Sequence, residues 1–276
     1  MEVNKMKKKL SSLTVIILTL GLLFSGCGQS AQNKQTADNS LSETKQKGQF
    51  IVGLDDSFPP VGFKDEKGEI VGFDVDMAKE AAKRMGVKAV FKSVQWDGVL
   101  LSLNNKDIDV IWNGLTVTDK RKEQIAFSKT YLQSKQIIAV KNDSTIKGKK
   151  DLAGKVVGLQ LGSSSEISLN SDATTAKSLK EIKKYSSNTE ALMDLSQGRV
   201  DAVVVDEAVG RYYISKKPDM YKILDEDFGK EDWGVGIRKS DKSFKEELDK
   251  TLDAMKADGT AAKLSEKWFG KDIITK

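Results

Sequence analysis

Two stretches of the sequence, 92 residues apart, share one frame. Leu103 to Trp112 (LNNKDIDVIW) and Leu195 to Val204 (LSQGRVDAVV) each pass from a helix end through a polar turn. An apolar residue, an aspartate and a buried-strand run then follow in both. A chain that restarts the same order of elements builds two lobes alike, each with loops at its strand ends. In this frame Asn113 and Gly114 correspond to Val205 and Asp206, and 276 residues are ample for two cores.

The elements around these frames predict an α/β chain. Phe50 to Leu54 reads as a buried strand, stopped by the loop Asp55-Asp56-Ser57-Phe58-Pro59-Pro60. A hairpin around Lys67-Gly68 precedes a helix capped by Asp74, with Val75, Ala78, Ala81, Ala82 and Met85 on one face. A strand over 87–91, a helix opened by Trp96-Asp97-Gly98 and the strand 108–111 complete a parallel pattern. Further strands are expected at Gln136 to Val140, Val156 to Gln160 and Trp233 to Ile237, with a loop before the last. Helices are expected from Asp206-Glu207 to about Lys216, over Phe244 to Met255, and after Asp258-Gly259. Asp109 and Asp201 read as strand-start residues, Trp112 as core, and Trp268 and Phe269 as packing anchors.

After the first of the paired strands comes Trp112-Asn113-Gly114-Leu115-Thr116-Val117-Thr118-Asp119-Lys120-Arg121. Thr118 suits an N-cap, placing Arg121 at the start of a helix. A strand end, free loop amides and a guanidinium make a carboxylate site, although the spacing alone equally fits a surface cap with a solvated arginine.

Composition removes whole classes of chemistry. The chain has no histidine, which excludes His-based triads, His proton shuttles and the usual zinc sites, and no metal or cofactor is expected. One cysteine, Cys27, excludes an internal disulfide. Beyond the first 27 residues stand 41 basic and 39 acidic side chains, a balance that gives no electrostatic case for nucleic-acid binding.

The amino terminus reads as an address. Lys5 to Lys9 form a basic region and Leu13 to Phe24 an apolar one, too short for a transmembrane helix. The next residues, Leu23-Phe24-Ser25-Gly26-Cys27, resemble a bacterial lipoprotein lipobox, with Phe24 where the pattern prefers Leu. That resemblance implies a signal peptide over 1–26, diacylglyceryl and palmitate chains on Cys27, and a place on the outer face of the cytoplasmic membrane. Residues 27–47 are polar enough to predict a flexible tether, with the folded body starting near Phe50.

Six motifs in order, GLDDSFPPVGF, GEIVGFDVDMAKE, WNGLTVTDKRKEQIAFSKTY, VVGLQLGSSSE, GRVDAVVVDE and DGTAAKLSEKWFG, resemble the extracellular solute-binding proteins of the polar amino-acid type over roughly residues 48 to 274. These are receptors of ABC importers. The resemblance implies a type II periplasmic-binding-protein-like fold, in which two parallel-sheet lobes are joined by two crossing strands. Lobe 1 would hold 48–135 and 237–276, and lobe 2 would hold 136–236. It further implies a monomer that closes on a free L-amino acid and delivers it to permease and ATPase subunits.

By the same resemblance Arg121 holds the ligand α-carboxylate, and Asn113, the backbone of Gly114 and Thr116 belong to its loop. Ser164, beside Ser163, serves the same carboxylate from lobe 2. Asp206 pairs with the α-ammonium, Asp55 reaches polar ligand atoms, Phe58 and Trp96 flank the ligand side chain, and Gln160 varies with ligand choice. The residues themselves agree. A zwitterion leaving water must have both charges paired, and Gly162 to Glu166 is a capping-box candidate whose amides favour an anion. Phe58 and Trp96 also fit a plain core reading, and Asp55 a plain turn. Two aromatics and a neutral Gln160 suggest a polar or sulfur-containing side chain, with cystine one candidate, and Asp55 and Asp56 leave basic amino acids open. Two other functions remain: a carboxylate-using, dehydratase-like enzyme on this fold, working through Asp55, Asp56, Glu166 or Glu207, and a ligand-sensing surface lipoprotein.

Overall fold

The computed structural model describes residues 38–275, so the signal peptide and Cys27 lie outside the described residues. The chain begins with helix α1 (Ser40–Lys47), strand β1 (Gln49–Leu54) and a small antiparallel sheet of β2 (Ser57–Phe58), β3 (Gly62–Lys64) and β4 (Ile70–Val71). Helix α2 (Phe73–Arg84), β5 (Lys88–Ser93), α3 (Val99–Asn104), β6 (Val110–Ile111), α4 (Asp119–Lys122) and β7 (Ala126–Phe127) follow. Next come β8 (Leu132–Lys141), β9 (Val156–Gln160), α5 (Ser164–Ser171), α6 (Ala173–Ser178), β10 (Glu181–Tyr185), α7 (Asn188–Ser196), β11 (Ala202–Asp206), α8 (Glu207–Lys216) and β12 (Tyr221–Trp233). The chain closes with β13 (Gly236–Ile237), α9 (Lys242–Ala257) and α10 (Thr260–Phe269).

Two five-stranded sheets carry the two lobes, in the orders β5-β1-β6-β13-β7 and β10-β9-β11-β8-β12. Each has a parallel triplet, β5-β1-β6 or β10-β9-β11. Each then adds antiparallel strands, so the sheets are mixed and not purely parallel as expected. The cause is the crossing between lobes: β8 and β13 enter their sheets directly from the other lobe, without the crossover helix that a parallel strand needs.

The repeated frame has a structural cause too. Asp109 accepts from the Ile51 amide at 2.8 Å, and Asp201 accepts from the Val156 amide at 2.8 Å. Each aspartate thus ties the head of the third triplet strand to the head of the central one. The pairing then places Val110 beside Val52 in one sheet and Ala202 beside Val157 in the other. The aspartates are strand-head struts, and their position forces the loops after β1, β6, β9 and β11 to the same edge of each sheet.

Beneath the first sheet α9 buries Phe244, Leu248, Leu252 and Met255, each at most 3% exposed. At ~1.5–3 kcal/mol per buried side chain, this face anchors the end of the chain to its beginning. Phe244 meets Phe50 edge-on at 5.5 Å. Phe269 packs on Phe73 at 5.0 Å, and Trp268 donates its indole N–H to Asp76 at 2.8 Å.

Four local expectations are corrected. The polar segment before Phe50 is not a flexible tether throughout, because Ser40–Lys47 is helix α1. It docks on α9: the Leu41 amide donates to Ser243 Oγ at 3.2 Å, the Phe244 amide donates to Ser40 Oγ at 3.2 Å, and Leu41 packs against the core. A chain starting at Gly48 is therefore expected to be ~2 kcal/mol less stable than one starting at residue 28. By thermal melting this is roughly 4–8 °C; equal melting temperatures would mean that α1 adds nothing. Asp74 does not cap α2, whose N-cap is Gly72; its side chain turns inward. The stretch before Trp233 is not a loop but the long strand β12, paired antiparallel with β8 and interrupted by two register shifts. The strand expected over 233–237 is split between β12 and β13.

Candidate functional site

The predicted site residues stand at strand ends. Asp55 follows β1, Asn113 and Gly114 follow β6, Gln160 ends β9, and Asp206 ends β11. This carboxyl-end edge is where open α/β sheets take ligands. Phe58, Trp96, Asn113, Gly114, Gln160, Ser163, Ser164 and Asp206 line one narrow space of about 10 Å³ between the lobes, so the cleft is closed down on itself. Phe58 and Trp96, at 6% and 8% exposure, are buried and line this space, which unites the core and cleft readings. Asp55, Thr116 and Arg121 are not in its lining; Asp55 accepts from the lining Gln160, and Arg121 donates to the Gly162 and Thr116 carbonyls.

Contacts across the cleft hold the two lobes together. Gln160 Nε2 donates to Asp55 Oδ2 at 2.7 Å, and Thr189 Oγ1 donates to the Ser57 carbonyl at 3.1 Å. Arg121 bridges as well, donating from Nη1 to the Thr116 carbonyl at 2.9 Å and from Nη2 to the Gly162 carbonyl at 3.3 Å. Thr118 caps its helix, its hydroxyl accepting from the Arg121 amide at 3.2 Å. The guanidinium is 6% exposed, so it is not a solvated surface cap. Burial lowers its pKa, opposed by the negative charges of Glu231 and Asp206.

Two glycines make the close fit possible. Gly114 has φ +62°, and a Cβ there would lie 3.0 Å from the Phe58 ring and 3.1 Å from Trp233. Gly162, at φ +72°, would place a Cβ 3.1 Å from Asp97 Cα on the facing lobe. Both conformations disfavour any other residue, and at both positions a Cβ would meet its neighbours more tightly than ordinary van der Waals contact.

The Gly162 to Glu166 turn is a capped helix start. Ser163 Oγ accepts from the Glu166 amide at 3.3 Å, and the Glu166 carboxylate accepts from the Gly162 amide at 2.8 Å. The first-turn amides of α5 have no intrahelical acceptor, so this end of the cavity favours an anion.

Sequence reasoning missed three polar residues at the site. Glu231 on β12 accepts from Thr116 Oγ1 at 2.8 Å and from Trp233 Nε1 at 2.9 Å. Gln136 on β8, fully buried, has three oxygens within reach of the two hydrogens on its Nε2: Asp206 at 2.8 Å, Glu231 at 3.0 Å and Ser164 Oγ at 3.1 Å. Burial, then the charge of Glu231, push the Asp206 carboxyl well above its ordinary pKa. The third is Asp74, whose Oδ2 accepts from the Gly114 amide at 2.6 Å and from the Tyr131 hydroxyl at 2.8 Å. It holds the site loop from below. A polar residue heading an apolar run was the available signal for Gln136; Glu231 lay in a stretch read as loop.

Chemically, the arrangement offers helix amides and a carboxylate around a narrow space with two aromatic walls, and a guanidinium close by at the Gly162 carbonyl. Charges of both signs in one cleft suit a zwitterion, which the lobes must part to admit. Among the described residues no group of acidic or cysteine side chains is placed to hold a metal ion, and no helix is long and apolar enough to cross a membrane.

Comparison with known proteins gives concordant findings. The profile of the bacterial extracellular solute-binding proteins, family 3, matches residues 50–271. The L-cystine-binding protein TcyJ of Escherichia coli (strain K12) is 35% identical over 243 residues, 87% of this chain and 90% of that protein. The L-cystine-binding protein TcyA of Bacillus subtilis (strain 168) is 33% identical over 273 residues, 97% of this chain and 99% of that protein. The crystal structure of an ABC uptake transporter substrate binding protein from Streptococcus pneumoniae with bound histidine is similar at a TM-score of 0.84 and 31% identity, over 87% of this chain and 99% of that one.

Proposed function

Because the chain belongs to the bacterial extracellular solute-binding proteins of family 3, we propose that it captures a free polar L-amino acid, with L-cystine first, for an ABC importer. The observation that supports this reading is a buried carboxylate, Asp206, lining the narrow space between the lobes, with a buried guanidinium, Arg121, reaching across from the other lobe to the Gly162 carbonyl beside it. Arg121 takes the α-carboxylate, helped by Ser164 and the α5 amides, and Asp206 takes the α-ammonium. Phe58 and Trp96 wall the side chain, and Gln160 with Asp55 sets its polar end. Since these groups lie on both lobes, the ligand binds the closed form more tightly than the open one and so shifts the chain toward closure. The closed form is what the permease receives. Cys27 carries the lipid that keeps the protein on the outer face of the cytoplasmic membrane, and it works there as a monomer.

Binding without turnover is favoured over the dehydratase-like reading by the acids themselves. Asp55 is engaged by Ser57 and Gln160, Asp56 by Lys64 and Ser93, Glu166 by Lys184 and the Gly162 amide, and Glu207 by Arg211. None of the four lines the space between the lobes.

Calorimetric titration of residues 28–276 against the twenty amino acids, cystine and ornithine tests the reading. A dissociation constant near micromolar, about −8 kcal/mol, is expected for L-cystine or another polar member. No heat and no thermal shift with any of them would sink it.

A further inference from the structure

Asp206 and Glu231 point at one neutral partner. Asp206 Oδ1 lies 2.8 Å and Glu231 Oε1 3.0 Å from the same atom, Gln136 Nε2. That amide carries two hydrogens and also has Ser164 Oγ within 3.1 Å. Asp206 is 3% exposed and Gln136 is fully buried. Neither carboxyl group forms an ion pair with a basic side chain among the described residues. Arg121, the basic group facing them from α4, spends its hydrogen bonds on the Thr116 and Gly162 carbonyls. The remaining neighbours, Thr116, Trp233 and Ser164, are neutral. Two anions and one guanidinium, which feels both of them without bonding to either, leave one negative charge uncompensated in the buried cluster, and a buried charge of that kind is costly.

We propose that in the closed, ligand-free form Asp206 carries a proton, and that the α-ammonium of the incoming amino acid displaces this proton into solvent. The proposal rests on the amino-acid reading above. In the exchange the Asp206 O–H bond breaks, the proton passes to buffer, and the carboxylate so formed accepts from the ligand N–H. No other bond changes. Burial and the Glu231 charge, which raise the Asp206 pKa, act in the direction the exchange requires. The ammonium replaces one positive charge with another at the same place, so the closed site avoids an unpaired anion at both stages. Glu231 becomes a specificity residue: a ligand without a cationic group there cannot expel the proton. By linkage, affinity rises with pH wherever binding releases a proton, by up to about tenfold per pH unit.

Two measurements on residues 28–276 test this. Calorimetry with L-cystine and with L-arginine near pH 7, in phosphate and in Tris, is expected to show release of roughly 0.5–1 proton per ligand from the difference in buffer heats. Difference infrared spectra of the ligand-free protein between acidic and alkaline pH are expected to show a protonated-carboxyl C=O band in addition to that of Asp74. The additional band disappears in Asp206→Asn and titrates at lower pH in Glu231→Gln. Binding without proton release overturns the exchange alone, as does absence of the band from the ligand-free protein. Failure of both ligands and every other amino acid to bind, with the band present, overturns the amino-acid reading and the exchange with it.

Discussion

Replacing Arg121 by alanine is expected to lower amino-acid affinity by about 3 kcal/mol, a factor of roughly a hundred. The magnitude follows from what would be left behind. A ligand carboxylate taken into a closed space retains its charge, and without the guanidinium only the hydroxyls and amides of α5 remain to face it. Arg121→Lys keeps the charge but loses the planar fork, so it should fall between wild type and alanine. The guanidinium also bonds the Thr116 and Gly162 carbonyls, so each variant is to be checked for wild-type circular dichroism before titration. A loss of less than about tenfold, roughly 1.4 kcal/mol, in a folded Arg121→Ala protein would remove Arg121 from the carboxylate site.

The second large effect belongs to Asp74. Its carboxyl group is wholly buried, has no cation beside it, and is pushed up to about 7 by burial, against the hydrogen bonds of Tyr131 and Gly114. In the unfolded chain it titrates near 3.8. Between these values the folded state binds the extra proton, so stability from this group is full below the lower value and is lost as pH rises through about 7. The loss amounts to as much as ~4 kcal/mol. Asp194 and Asp258 act in the opposite sense, because hydrogen bonds to Lys183 and to Thr260 lead the causes that hold them low. They are common to wild type and variant and cancel in a difference. Asp74→Asn should therefore gain stability relative to wild type between pH 5 and pH 8, measured by urea unfolding. A difference that does not change with pH would contradict the assignment. Because Asp74 holds the Gly114 amide, ligand affinity should move with it.

Much of the fold was legible because its elements are locally consistent. Apolar runs marked β1, β9 and β11, and the spacing of Phe244, Leu248, Leu252 and Met255 marked α9. What was missed lacks that signature. β10 (EIKKY) is an edge strand with charged side chains, and β12 is mostly polar because its outer edge pairs with nothing. Helix α1 is set by a few contacts to Ser243 and the core, which no periodicity in SLSETKQK announces. At the site, residues flanked by glycine turns at strand ends could be found. Glu231 could not, and Gln136 offered only its place at the head of an apolar run, because the register of β8 against β12, with its two shifts, decides where they point. Asp74 was misread for a related reason: an aspartate at a helix start fits a cap, and only the tertiary position of Gly114 turns it inward.

The division of strands between the sheets bears on how such a chain comes into being. Every strand of the second sheet lies in one unbroken run, 132–233, whereas the first sheet takes β13, between β6 and β7, from beyond it. A polypeptide delivered amino end first can finish the second sheet while β6 still presents an open edge. Val110 and Ile111 then wait uncovered until the last forty residues arrive, an interval in which the edge can pair with a neighbouring chain. Aggregation during delivery should respond to substitutions in β13 and α9 more than to equally destabilising ones in the second sheet.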